Sequence, residues 1–127
     1  MHNKNLIIPG PYRGQFHLPD DERKVYLNPV ERTLYLFFLN HPEGIQADVL
    51  TFHWKELCHL YAHESVFDNK ELMANTMESL CNESKTVFYT TVSRIKKKFI
   101  TTLGTRKASP YIIKRDKSGY YRTRATL

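Results

Sequence analysis

The sequence has no long apolar run. Its longest, residues 34–39, is six residues, against the ~20 that a membrane-spanning helix needs. Glycine is scarce, with five in the chain and none clustered. The patterns G-x-x-x-x-G-K-[ST], G-x-G-x-x-G and G-x-S-x-G are therefore missing, and no phosphate-cradling loop is available. Two cysteines, Cys58 and Cys81, are too few for a disulfide scaffold and form no C-x-x-C pair. There is no basic start followed by an apolar stretch and a small-residue cleavage site, so the expectation is a cytoplasmic chain without a secretory signal. No nucleophile–base pairing stands out. The expectation is a non-enzyme with no cofactor, no metal and no small-molecule substrate.

Acid is missing where it tells most. Residues 85–127 hold twelve Lys+Arg and a single acid, Asp116, a net of +11. Residues 1–84 hold seven basic and twelve acidic residues, a net of −5. The whole-chain value of +6 hides this division, which points to a polyanionic partner for the C-terminal third. What is present otherwise is ordinary. At 127 residues, 41% hydrophobic and 25% charged, the chain suits one globular domain that buries roughly two-thirds of its unfolded surface.

Residues 1–15, with Pro9-Gly10-Pro11 and Gly14, read as an irregular lead-in to a single domain over 16–127. Phe16-His17-Leu18 and Lys24-Val25-Tyr26-Leu27 flank the polar turn Pro19-Asp20-Asp21-Glu22 as a small hairpin. Asn28-Pro29-Val30-Glu31 then opens a helix, with Asn28 as N-cap, Pro29 at the first position and Glu31 closing a capping box. Leu34-Tyr35-Leu36-Phe37-Phe38-Leu39 makes this the central core helix, and His41-Pro42-Glu43-Gly44 stops it. A second helix is predicted over about 47–64, with Trp54, Leu57, Cys58 and Tyr61 sharing a buried face. A third covers about 69–81, with Leu72, Met73, Met77 and Leu80 apolar.

The fourth predicted helix, about 84–103, is the most informative. Phe88, Val92, Ile95 and Phe99 form a narrow apolar stripe. At 100° per residue the opposite side carries Thr86, Thr90, Ser93, Arg94, Lys97 and Thr101, hydroxyls and cations without an acid. Tyr89 and Lys96 lie on one flank and Lys98 on the other. Gly104 can end the helix. Tyr111-Ile112-Ile113-Lys114-Arg115 and residues 120–126 read as two strands about the turn Asp116-Lys117-Ser118-Gly119. This C-terminal hairpin carries Lys114, Arg115, Lys117, Arg122 and Arg124. Arginine and lysine reach guanine edges or phosphates, while serine and threonine donate to phosphate oxygens. A basic hairpin beside such a helix can follow the backbone or enter an adjacent minor groove.

The order of these elements resembles the winged-helix effector domain of two-component response regulators. In that family an N-terminal antiparallel sheet leads into leucine–threonine–x–x–glutamate, where this chain has Leu27-Asn28-Pro29-Val30-Glu31. The family's proline–glycine turn resembles Pro42-Glu43-Gly44. Its recognition-helix pattern I-x-R-L-R-x-K-L is similar to Val92-Ser93-Arg94-Ile95-Lys96-Lys97-Lys98-Phe99, and its wing ends in glycine–tyrosine, like Gly119-Tyr120. The likeness spans roughly residues 16–124. It implies an α+β winged helix-turn-helix with short N-terminal antiparallel strands, three to four helices and a C-terminal wing. It further implies double-stranded DNA as partner, helix 84–103 in the major groove and hairpin 111–126 as wing. The chain departs from the family in an enlarged segment at 65–83 and in extra residues 116–118 in the wing turn. No receiver domain is expected ahead of it.

Two weaker signals are set aside. Pro19-Asp20 followed by Glu22-Arg23-Lys24 superficially matches a PD-(D/E)-x-K nuclease motif, but one intervening residue cannot put the acids on neighbouring strands around a metal. His59 and His63 have zinc-chelating spacing, with His53 and Cys58 nearby. They lack the glutamate of H-E-x-x-H, and exposed histidines are the simpler reading. The competing hypothesis is a protein-interaction module on the same fold, with a protein partner or a homodimer at the 65–83 segment or the first-helix region. RNA on the same basic face is a third.

Overall fold

In the computed structural model, residues 5–10, 14–65 and 69–127 are described. Residues 1–4 and 11–13 of the expected lead-in, and 66–68 of the enlarged segment, lie outside them. The architecture is α+β. Strands β1 (Asn5–Leu6), β2 (Ile8–Pro9), β3 (Gln15–His17) and β4 (Val25–Tyr26) precede helix α1 (Pro29–Leu39). Strand β5 (Ile45–Gln46), a 3-10 helix (Ala47–His53), α2 (Trp54–Glu64), α3 (Lys70–Leu80), α4 (Thr86–Leu103) and the short α5 (Thr105–Ala108) follow. Strands β6 (Lys114–Arg115), β7 (Tyr120–Arg122) and β8 (Ala125–Thr126) close the chain. No helix among the described residues is long and apolar enough to cross a membrane.

Helix α1 begins as its sequence dictates. The Asn28 side chain accepts from the Glu31 N–H at 2.9 Å, and the Glu31 carboxylate accepts from the Asn28 N–H at 3.0 Å. These two bonds satisfy donors that a bare helix end would leave open. Leu34, Tyr35, Phe37 and Phe38 are fully buried, so α1 is the core helix around which α2 and α4 pack. Arg32, also buried, bonds Glu64 through its side chain and main chain and donates to the Leu27 carbonyl, tying α1 to the end of α2.

Two three-stranded antiparallel sheets form, β2-β3-β4 and β5-β7-β6. In the second, the strand leaving α1 pairs with the outgoing strand of the C-terminal hairpin, Ile45 opposite Tyr121. The Tyr111 carbonyl accepts from the Tyr35 hydroxyl at 2.7 Å and the Thr123 hydroxyl at 2.9 Å, which pins the hairpin's base to α1. Burial pushes the Tyr35 phenol well above its ordinary range, so it remains a neutral donor.

Four expectations need correction. The described part of the lead-in is not all irregular: β2 joins the first sheet, and β1 pairs in parallel with β8, placing Ile7 in the core. For the same reason residues 120–126 are not one strand, because the chain leaves the hairpin after Arg122 to reach β1. On the other arm, Tyr111, Ile112 and Ile113 are buried but outside a strand, so the paired hairpin shrinks to 114–122. The second predicted helix divides at Trp54 into a 3-10 turn and α2. Leu57 and Tyr61 are buried there, whereas Trp54 is 37% exposed rather than a core residue.

Candidate nucleic-acid interface

The orientation of α4 follows from its apolar stripe. Phe88, Ile95 and Phe99 are fully buried, Leu103 nearly so, and Val92 packs half-buried beside them. Phe99 meets the Tyr35 ring at 5.2 Å between centroids. With that side anchored, 100° per residue turns Thr86, Thr90, Ser93, Arg94, Lys97 and Thr101 outward, and all six are exposed. Thr91 is the contrast: it is buried, and its hydroxyl is spent on the Val87 carbonyl at 2.7 Å.

Charge sorts in the same way. Lys98, on the inward flank, reaches the buried Glu31 carboxylate, and Lys107 of α5 bonds Asp21 at 2.7 Å. Arg94, Lys96 and Lys97 have no acidic partner among the described residues. The outward cations of α4 are therefore available to an external anion, while the inward one holds the fold together.

The hairpin residues divide less evenly. Arg115, Lys117 and Arg124 are exposed and without an acidic partner among the described residues. Lys114 is exposed and donates to the Ser109 hydroxyl at 2.7 Å. Arg122 is different. It is partly buried, its Nη2 bonds Asp116 at 2.6 Å, and its Nε has no acceptor among the described residues. Its guanidinium lies over Gly44, where φ is +91° and a Cβ would come within 3.2 Å of Nε. Asp116 also accepts from the Tyr120 and Ser118 N–H groups at 3.0 and 2.9 Å. The Tyr120 bond most of all, with the Ser118 bond and the Arg122 charge, holds its carboxyl below the usual carboxylate range despite partial desolvation. Asp116 and Arg122 thus build the turn rather than stand free.

Helix and hairpin meet through aromatic rings. Tyr121 of β7 sets its ring at 88° to Phe88, 5.1 Å between centroids, and 6.3 Å from Tyr89. Three shallow depressions run across the junction. One is lined by Tyr89, Thr90, Ser93, Arg94 and Lys97. The next shares Tyr89 and adds Gln46, Asp48, Arg115 and Ser118. The third shares Arg115 and adds Lys114, Arg122 and Arg124 with Asp116. Eight of the eleven residues proposed from sequence line this track; Thr86, Thr101 and Lys117 are exposed outside it.

Sequence reasoning placed Tyr89 on a flank of the helix and gave it no role. Its ring, 47% exposed, is the hinge between the helical and hairpin depressions. The one signal was its position one residue beyond the apolar stripe, next to Phe88. Asp48, the acid at mid-track, comes from a segment with no sequence signal for this site. The chain matches no protein-family model, no curated protein and no solved structure.

Proposed function

We propose that the chain is a non-enzymatic DNA-binding protein with a winged helix-turn-helix fold, regulator-like in its use of α4 as recognition helix and the β6–β7 hairpin as wing. Two observations support the fold assignment. The sheet order β5-β7-β6 puts the strand after the first helix beside the wing's returning strand, and the sequence motifs quoted above follow the order expected of that effector domain. The helix α3 is then an insertion between the two helices of the motif. The observation that carries the function is the sorting of charge on α4. Its outward hydroxyls and cations are exposed and without an acidic partner among the described residues, while the flanking Lys98 is paired.

In this reading the apolar stripe seats α4 so that Arg94 and Lys97 address base edges or phosphates. Thr90 and Ser93 donate to phosphate oxygens and set the register. Arg115, Lys117 and Lys114 follow the neighbouring backbone, and Arg124 lies past the paired strands. The test is fluorescence anisotropy of a labelled duplex at low salt. Joint replacement of Arg94 and Lys97 by Ala weakens binding by at least about tenfold, while replacement of Lys55 and Lys70, outside the face, does not. Equal affinity for all three proteins refutes the assignment.

A second reading, a protein-interaction module, is favoured by one observation. Phe52 is 81% and Leu72 59% exposed, on the 3-10 helix and α3. Of the apolar residues of α3, Met77 and Leu80 are fully buried and Met73 is half-buried, leaving Leu72 outward. Leu72→Asp abolishing self-association in light scattering, with DNA affinity unchanged, supports this reading.

A further inference from the structure

Away from the basic face, the end of α1 and the start of α2 bring together side chains that neither the DNA reading nor the core uses. His41 follows α1, His53 ends the 3-10 helix, and Glu56 lies on the first turn of α2. One ligand atom from each lies within 4.8 Å of the others. His41 Nε2 is 2.9 Å from both Glu56 oxygens, and His53 Nδ1 is 3.8 Å from Glu56 Oε1. With metal–ligand bonds of about 2.0–2.1 Å, tetrahedral zinc holds its ligand atoms roughly 3.3 Å apart. The His41–Glu56 and His53–Glu56 separations lie on either side of that value and the third is at most 4.8 Å, so side-chain rotation is enough to close the set. Those side chains are 17%, 28% and 36% exposed, recessed but open to an incoming ion.

Two further features bear on the cluster. The Glu43 carboxylate sits 3.0 Å from His41 Nδ1. A carboxylate that accepts the hydrogen bond from Nδ1–H favours the tautomer whose Nε2 lone pair is directed at the cluster, which is the support metal-bound histidines ordinarily have. The Phe37 ring lies against both imidazoles, 4.5 Å from His41 and 5.3 Å from His53 between centroids, an apolar floor that holds the two rings in place.

We propose that His41 Nε2, His53 Nδ1 and the Glu56 carboxylate form a Zn²⁺ site, with Glu43 orienting His41. Two histidines and a carboxylate suit a borderline divalent ion better than Mg²⁺ or Ca²⁺, which prefer all-oxygen shells. Three protein ligands leave the fourth position to water. The ion clips the end of α1 to the start of α2. It also steadies the turn that holds Gly44, against which the hairpin's Arg122 packs. The site uses no residue of the α4 face, so it stands or falls independently of DNA binding. The histidine pair singled out in the sequence, His59 and His63, is a different place: their rings are 5.8 Å apart on exposed turns of α2.

The test uses the full chain, tag-free and reduced, titrated with Co²⁺ by visible absorption and then displaced with Zn²⁺. The expected result is saturable binding of a single equivalent with a tetrahedral-type spectrum. His41→Gln and Glu56→Gln each weaken it by about 100-fold, Glu43→Gln by about tenfold, and a His59→Ala/His63→Ala double variant leaves it intact. Binding lost in that double variant, or kept within threefold in His41→Gln or Glu56→Gln, overturns the proposal. So does the absence of saturable binding at millimolar metal. Because His41→Gln can disturb the fold, long-range ¹H–¹⁵N spectra of the unsubstituted protein supply a second readout. Zn²⁺ must shift His41 Nε2 and His53 Nδ1, and shifts confined to other histidines overturn the assignment.

Discussion

The proposed interface makes a quantitative statement about salt. Six of its cations, Arg94, Lys97, Lys114, Arg115, Lys117 and Arg124, are exposed and have no acidic partner among the described residues, whereas Arg122 is neutralised by Asp116. A protein that neutralises Z phosphates loses affinity with a log–log slope of about −0.9Z, because bound counterions are released. Six contacts give a slope of about −5, which amounts to roughly a thousandfold loss between 50 and 200 mM salt. Replacing Arg94 and Lys97 by Ala reduces the slope to about −3.5 if both meet phosphates. If either reads a base edge instead, that residue's part of the slope change disappears and its loss shows as a cost of about 1–3 kcal/mol confined to preferred sequences. The assay is anisotropy of a labelled duplex over a salt series for the parent and the double variant. A parent slope near zero, or an identical slope and affinity in the variant, refutes the reasoning, since the cations of α4 would then face no phosphate.

The scaffold makes predictions of its own. Gly14 and Gly104 both have positive φ, but a Cβ at Gly14 would lie 2.7 Å from the Leu27 carbonyl and 2.4 Å from Arg32, whereas Gly104 has nothing within 4 Å. Gly104→Ala therefore costs about 1–3 kcal/mol of backbone strain, since its φ of 85° and ψ of 159° fall where only glycine sits readily, and Gly14→Ala about 1–3 kcal/mol more, by urea denaturation. Asn28→Ala removes the cap of α1 and lowers stability by about 1 kcal/mol, read as a drop in Tm. Asp21 accepts from Arg23 and Lys107, and those bonds, Arg23's first, hold its carboxyl far below the ordinary range. Its folded-state pKa is depressed, so its stabilisation is fully present above the ordinary carboxylate range and is lost as pH falls through and below about 4. Asp21→Asn removes that part of the acid sensitivity, which shows when Tm is compared at neutral and acidic pH.

Much of this molecule is written in local chemistry. The α1 cap, the core run 34–39 and the stripe of α4 are sequence-local patterns, and the structure follows them. The outward face of α4 was legible for the same reason: once Phe88, Ile95 and Phe99 are inside, helical geometry leaves no choice about Arg94 and Lys97. Long-range partners were not legible. β1 and β8 are two residues each, and nothing local announces a pairing of Asn5 with Ala125. Arg122 looked as free as Arg115 because only the folded turn brings Asp116 and Gly44 against it. Trp54 looked like core because its spacing fits Leu57 and Tyr61. It is the first residue of α2, at the end of the buried face where the helix begins, and it stays at the surface. The cluster of His41, His53 and Glu56 was hidden likewise, since its members come from three elements.

The central claim is that the outer face of α4 and the hairpin together receive duplex DNA. Backbone ¹H–¹⁵N spectra recorded while an unlabelled duplex is added at low salt test it most directly. The account predicts shifts and broadening concentrated at Tyr89, Thr90, Ser93, Arg94 and Lys97 and at residues 114–118, with Phe52, Leu72 and the exposed face of α3 unmoved. Perturbation centred on Phe52 and Leu72, or no perturbation at saturating duplex, contradicts it.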